Sequence, residues 1–145
     1  MEQEVRRSEE FFPVVRIYSD ARGVTHFEDG RLTLRSAGEI GRLSDAVGPA
    51  EVVFRSTGAD YDYDWHPTPA RQFVVVVTGA IEIEVGDGER RVIEAGTTLF
   101  LEDTEGPGHR TRNVGAVPRY SIFIQTDGVV PYRATPQSTT AGDDV

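Results

Sequence analysis

The chain has 145 residues, enough for one domain with its own core. Its formal net charge of −9 argues against a nucleic-acid backbone or an anionic membrane as partner, and no apolar run approaches the ~18 residues of a membrane span. With no cysteine and no lysine, it is excluded from disulfide, thiolate, cysteine-metal and Schiff-base chemistry.

The first residues, MEQEVRRSEEFF, lack the basic-then-apolar order of a secretory signal, so a cytoplasmic location is expected. Residues 1–11 are charged and read as a flexible N-terminus. From Phe12 to Tyr18 the chain alternates and is β-branched, which predicts a strand. Val24 to Glu28 and Arg31 to Arg35 read as two further strands, with Asp29-Gly30 as the hairpin turn between them. Ser36 to Val47 holds two glycines and predicts a loop or one short helical turn, and Glu51 to Ser56 a strand. Asp60 to Asp64 reads as an acidic, aromatic turn. Arg71 to Thr78 follows as a strand, and its run Val74 to Val77 implies cover on both faces.

Beyond it, short strands and glycine turns alternate: Ile81 to Val85, Arg90 to Glu94, Thr97 to Glu102, Gly108 to Asn113 and Arg119 to Thr126. Many short strands with almost no helix predict an antiparallel sandwich or barrel. One domain is expected over residues 12–130. The tail over residues 131–145, rich in Thr, Pro, Ser and Asp, is expected to be disordered.

The spacing of two segments resembles the motifs of the cupin superfamily. Gly58, five residues, Asp64-Trp65-His66, five residues, Gln72, six residues and Gly79 follow the first motif. Gly88, five residues and Glu94-Ala95-Gly96, then His109 through Asn113, follow the second. The chain is also similar to a group of short bacterial cupins with a Trp-His-x-x-Pro-x-Arg-Gln run, here Trp65 to Gln72. The same group has a Glu-Asp-Thr-x-Gly-x-Gly-His run, here Glu102 to His109. The resemblance covers roughly residues 50 to 126 and implies an antiparallel, double-layered jelly-roll β-barrel.

In metal-binding cupins three histidines and a glutamate ligate iron, manganese, nickel or zinc. Carried over, the metal positions here are Asp64, His66, Gln72 and His109. Asp64 replaces a histidine and Gln72 the glutamate. Two histidines with one carboxylate form a known non-haem iron face. A glutamine is a weak neutral ligand, so the resemblance implies a weaker metal site or none, and no nucleotide cofactor.

Each residue also has a plainer reading. His66 and His109 can be buried structural histidines, Asp60 to Asp64 a solvated loop, and Trp65 core. Arg71 reads as a structural salt-bridge partner and Glu102-Asp103 as turn chemistry. His26 belongs to neither motif and reads as surface.

The functional reading makes His66, His109 and Asp64 catalytic or metal-binding. Gln72, Trp65, Tyr63, Thr111 and Asn113 then contact a small-molecule substrate, with His109, Thr111 and Asn113 sharing one strand face. The expected activity is that of an isomerase, cyclase, lyase or oxygenase acting on a small molecule inside the barrel; the alternative is a non-catalytic binding module, or a metal-free cyclase or isomerase of a biosynthetic pathway. Small cupins commonly pair, which implies a homodimer with residues 12 to 18 as a candidate edge contact.

Overall fold

The computed structural model describes residues 11–136. The first strands are β1 (Phe11–Ser19), β2 (Thr25–Thr33), β3 (Arg35–Ser36), β4 (Arg42–Leu43) and β5 (Ala50–Thr57). They are followed by β6 (Asp62–His66), β7 (Gln72–Thr78), β8 (Ala80–Glu84) and β9 (Arg90–Glu94). The last are β10 (Thr98–Leu101), β11 (His109–Val114), β12 (Arg119–Thr126) and β13 (Tyr132–Ala134). One 3₁₀ turn, Gly38–Ile40, lies between β3 and β4. No helix among the described residues is long and apolar enough to cross a membrane.

Seven strands form one sheet in the order β13-β2-β1-β10-β7-β12-β5, and four form another in the order β6-β11-β8-β9. The chain is therefore the all-β, double-layered roll expected from the sequence. No ladder joins the two layers, so they face one another without closing into a continuous barrel. One ladder also departs from the antiparallel pattern, since β1 runs parallel to β10.

Strand periodicity builds the core. In β8, Ile81 and Ile83 are buried while Glu82 and Glu84 stay partly exposed. Ile81, Ile83, Val85 and Ile93 pack against Ile17, Val74, Val76, Leu99 and Leu101 of the large sheet. Full burial of each such side chain stabilises the fold by about 1.5–3 kcal/mol. The large sheet buries its other face as well, where Val14, Leu32, Phe73 and Phe100 meet Val130 and Tyr132. That second cluster explains the apolar runs in β7 and β10. The double cover ends at Val76, and Val77 is exposed.

Four sequence expectations change. Asp29-Gly30 makes no turn: β2 runs straight through it and pairs with β1 from end to end. The turn that the sequence also predicts at Ser19 to Gly23 is the one that joins β1 to β2, closed by Asp20 and Gly23. Gly30 serves a close approach, because a Cβ there would overlap the Tyr132 ring. Residues 131–136 are consequently ordered at their start, with β13 paired to β2 and the Tyr132 hydroxyl donating to Glu28 Oε1 at 2.5 Å. The rest of the expected tail, from residue 137, and residues 1–10 of the expected N-terminus lie outside the described residues.

Of the acidic stretch read as a turn, Asp60 lies in one, but Asp62 to Asp64 belong to β6, on the edge of the small sheet. Finally, β1 pairs with β2 along its length and with β10 over Val15 to Ile17, so the central part of the candidate edge contact has no free edge for a second copy.

Candidate functional site

A cavity of about 580 Å³ lies between the two layers. Its floor is apolar, formed by Val74, Ile81, Ile83, Leu99 and Leu101. Polar groups enter from the strands at its rim: His66 and Tyr63 from β6, His109 and Thr111 from β11, and Gln72 from β7. This mix of an apolar body and a few placed polar groups is the composition of a small-molecule site.

The two histidines face each other across the first pair of the β6–β11 ladder, with ring centroids 4.7 Å apart. Gly108 allows that approach. It has φ +75°, and a Cβ there would overlap the His66 carbonyl. Thr25 secures the position by donating from Oγ1 to the Gly108 carbonyl at 2.7 Å.

Each imidazole is oriented through Nδ1. His66 Nδ1–H donates to the Asp64 carbonyl at 2.7 Å, and the Tyr63 ring stacks on His66 at 4.1 Å. His109 Nδ1–H donates to Asp103 Oδ2 at 2.5 Å. Asp103 is fully buried and His109 nearly so. In both rings Nε2 is left without a protein partner among the described residues. Burial pushes the His66 imidazole below its ordinary value; the Asp64 carbonyl opposes this and the neighbouring His109 adds to it. His66 is thus held neutral near pH 7.

Gln72 is buried at the same end. Its Nε2 donates to Thr68 Oγ1 at 2.8 Å, and Thr68 is fastened by its backbone N–H to the Asp103 carbonyl. Glu102, next to Asp103, accepts from Arg16 Nε at 2.7 Å and from Arg71 Nε at 3.0 Å. Arg71 is therefore in the structural ion pair expected of it. Glu102 and Asp103 do more than shape a turn.

Of the residues singled out in the sequence, His66, His109, Gln72, Tyr63 and Thr111 come together at the cavity. Asp64, Trp65 and Asn113 do not line it. The ladder explains the first two. His66 pairs with His109 and Tyr63 with Thr111, so Asp64 and Trp65 together oppose the single residue Arg110. This bulge cancels the two-residue parity that would have aimed Asp64 and His66 the same way. The Asp64 side chain is exposed as a result. Asn113 turns to its own loop, donating from Nδ2 to the Val117 carbonyl at 3.2 Å. His26 is at the surface between Asp20 and Asp87, as expected.

The donor chemistry decides whether the metal implied by the resemblance fits. Among the described residues, no three His, Cys, Asp or Glu side chains converge to hold a metal ion. Two imidazoles and the neutral Gln72 amide remain, without a carboxylate. The residues present do not fit the two-histidine, one-carboxylate face.

Arg55 and Arg119 escape the sequence reading, in which Asp103 is turn chemistry. The two arginines line the cavity from β5 and β12. On β12 the inward positions are Arg119, Ser121, Phe123 and Gln125, so polar residues face inward and Ile122 and Ile124 outward. That inverted alternation was the available signal.

No protein-family model matches the chain. No curated protein matches it either. Among solved structures, it is similar to a cupin-like protein from Thermotoga maritima, at 16% identity over 86% of this chain and 88% of that one, with TM-score 0.44. A structure from a study of DMSP lyases matches at 15% identity over 74% and 53%, with TM-score 0.40. A putative ethanolamine utilization protein from Salmonella typhimurium matches at 10% identity over 82% and 98%, with TM-score 0.36.

Proposed function

We propose that the chain is a small enzyme of the cupin type that moves a proton on an organic molecule held between its two sheets. Isomerisation, cyclisation and elimination are the reactions that need only this. The buried contact between His109 Nδ1 and Asp103 Oδ2 carries the reading. A carboxylate in that position holds the ring in one tautomer and aims Nε2 into the cavity, the arrangement expected of a general base and its positioning group. It also stabilises the imidazolium that forms when Nε2 accepts a proton.

His66 offers a second Nε2 beside it. One imidazole removes a proton from a carbon or hydroxyl of the ligand. The resulting N–H of that ring, which exchanges with solvent at the half-open mouth beside Tyr63, then delivers a proton to a second atom of the ligand. Gln72 is placed to hydrogen-bond a ligand carbonyl or hydroxyl.

The test is to incubate the purified protein with a library of small organic metabolites and follow mass-neutral or eliminative conversion. Turnover that falls about 10²–10⁴-fold in both His66→Ala and His109→Ala supports the proposal. Saturable binding without any conversion favours a non-catalytic binding module, and conversion indifferent to both histidines defeats the acid–base assignment.

A further inference from the structure

Among the described residues the cavity carries two arginines and no acid. Its walls include Arg55 and Arg119, yet no described Asp or Glu lines it, in a chain whose 24 acidic residues outnumber its 15 arginines. Asp103 stands behind the His109 ring. Neither arginine forms a salt bridge among the described residues, whereas Arg16, Arg71, Arg91 and Arg112 all do.

Arg119 is the more informative of the pair. It is only 4% exposed, and its Nε has no hydrogen-bond partner. Two other buried polar atoms without partners belong to the same pair of strands, Thr57 Oγ1 and Ser121 Oγ. Thr57 pairs directly with Arg119, and Ser121 pairs with Arg55. The Tyr61 ring stands 5.5 Å from the Arg119 guanidinium and 5.4 Å from that of Arg55. A ring face can shield a cation, but it satisfies none of the in-plane N–H donors. Leaving a buried guanidinium with unmet donors is costly unless something else meets them. Burial pushes Arg119 below its ordinary value, Tyr61 opposes this and Arg55 reinforces it. An anion placed between them would relieve both effects.

We propose that the cavity binds a carboxylate, held between Arg119 and Arg55, with the apolar body of the ligand lying along Ile81, Ile83 and Leu99. Planar, bidentate donors match a carboxylate. The same guanidinium forks also match a phosphate, so phenyl phosphate is the competing anion against which the carboxylate assignment is tested. The inference rests on the proposed function only for the reaction beside His66 and His109. Anchoring itself is independent of it.

The experiment follows the methyl resonances of Ile81, Ile83 and Leu99 during titration with hexanoate, benzoate and 3-phenylpropanoate. Each acid is compared with its primary amide, and phenyl phosphate is included. At least one acid is expected to bind at least about tenfold more tightly than its amide, with affinity falling as salt rises. Arg55→Gln should weaken that acid about tenfold, and the Arg55→Gln/Arg119→Gln pair should abolish its preference over the amide. Arg55 is exposed, so its variant reports even where the buried substitution impairs folding.

Acids that bind no better than their amides, or an acid preference untouched by Arg55→Gln, would overturn the proposal. Tighter binding of phenyl phosphate would overturn the carboxylate assignment. A His66→Ala/His109→Ala variant that keeps the acid preference but lacks turnover separates anchoring from chemistry.

Discussion

Asp103 Oδ2 and His109 Nδ1 stand 2.5 Å apart with both side chains buried, and the other carboxylate oxygen, Oδ1, has no partner among the described residues. One contact therefore orients the imidazole while leaving half of a buried carboxylate unmet. Such a group is poorly explained by stability alone. Asp103→Asn keeps the shape but can present a donor where His109 needs an acceptor. It should lower stability by about 1–3 kcal/mol and move the His109 ring nitrogens in a ¹⁵N spectrum. An unchanged spectrum would remove Asp103 from the site.

Gly108→Ala tests the approach of the two histidine strands. The position has φ +75°, and the new methyl would overlap the His66 carbonyl. A loss of at least about 2 kcal/mol in denaturant unfolding is expected, together with displacement of His66 from His109. Wild-type stability would show that β6 and β11 do not meet as described.

Histidine titration separates two environments of opposite sign. His66 is pushed below its ordinary 6.5 by burial, so the unfolded chain binds more protons than the folded one as pH drops below that value. Stability should therefore fall as pH falls from about 6.5 to the folded value, and His66→Ala should flatten that slope. His26 is raised by its hydrogen bond to Asp20, with Asp87 also contributing. Its contribution is present below 6.5 and is lost as pH rises through its folded value. NMR titration should place His26 above 6.5 and His66 below it; the reverse order would contradict both assignments.

Gly30→Val tests the seat of β13. Its side chain would enter the space of the Tyr132 ring, which packs tilted against Phe100 with centroids 5.6 Å apart. A loss of about 1–3 kcal/mol and faster proteolysis near residue 132 are expected, with the cavity unchanged. Undiminished protection of that segment would show that the ring is not held there.

Much of the architecture is legible in the chain because most strands announce themselves by alternation and glycine punctuation. Ile81, Ile83 and their intervening glutamates are one example. Where the reading fails, a tertiary contact overrides a local signal. Asp29-Gly30 looks like a turn because Gly30 lacks a Cβ, yet that absence serves Tyr132, a hundred residues away. His66 and His109 are legible from spacing, but Asp64 is misplaced because a bulge leaves no trace in composition. Asp103 is hidden by its place in a loop, and Arg119 by a strand that turns its polar face inward.

Solvent-deuterium incorporation tests the central claim most directly. A converted ligand is followed in D₂O with protein assayed for metal and treated with chelator. The acid–base account predicts one deuterium at the position that receives the proton, turnover that survives chelation, and loss of label and turnover in His66→Ala and His109→Ala. Turnover that scales with bound metal, stops on chelation and tolerates either histidine variant would contradict it.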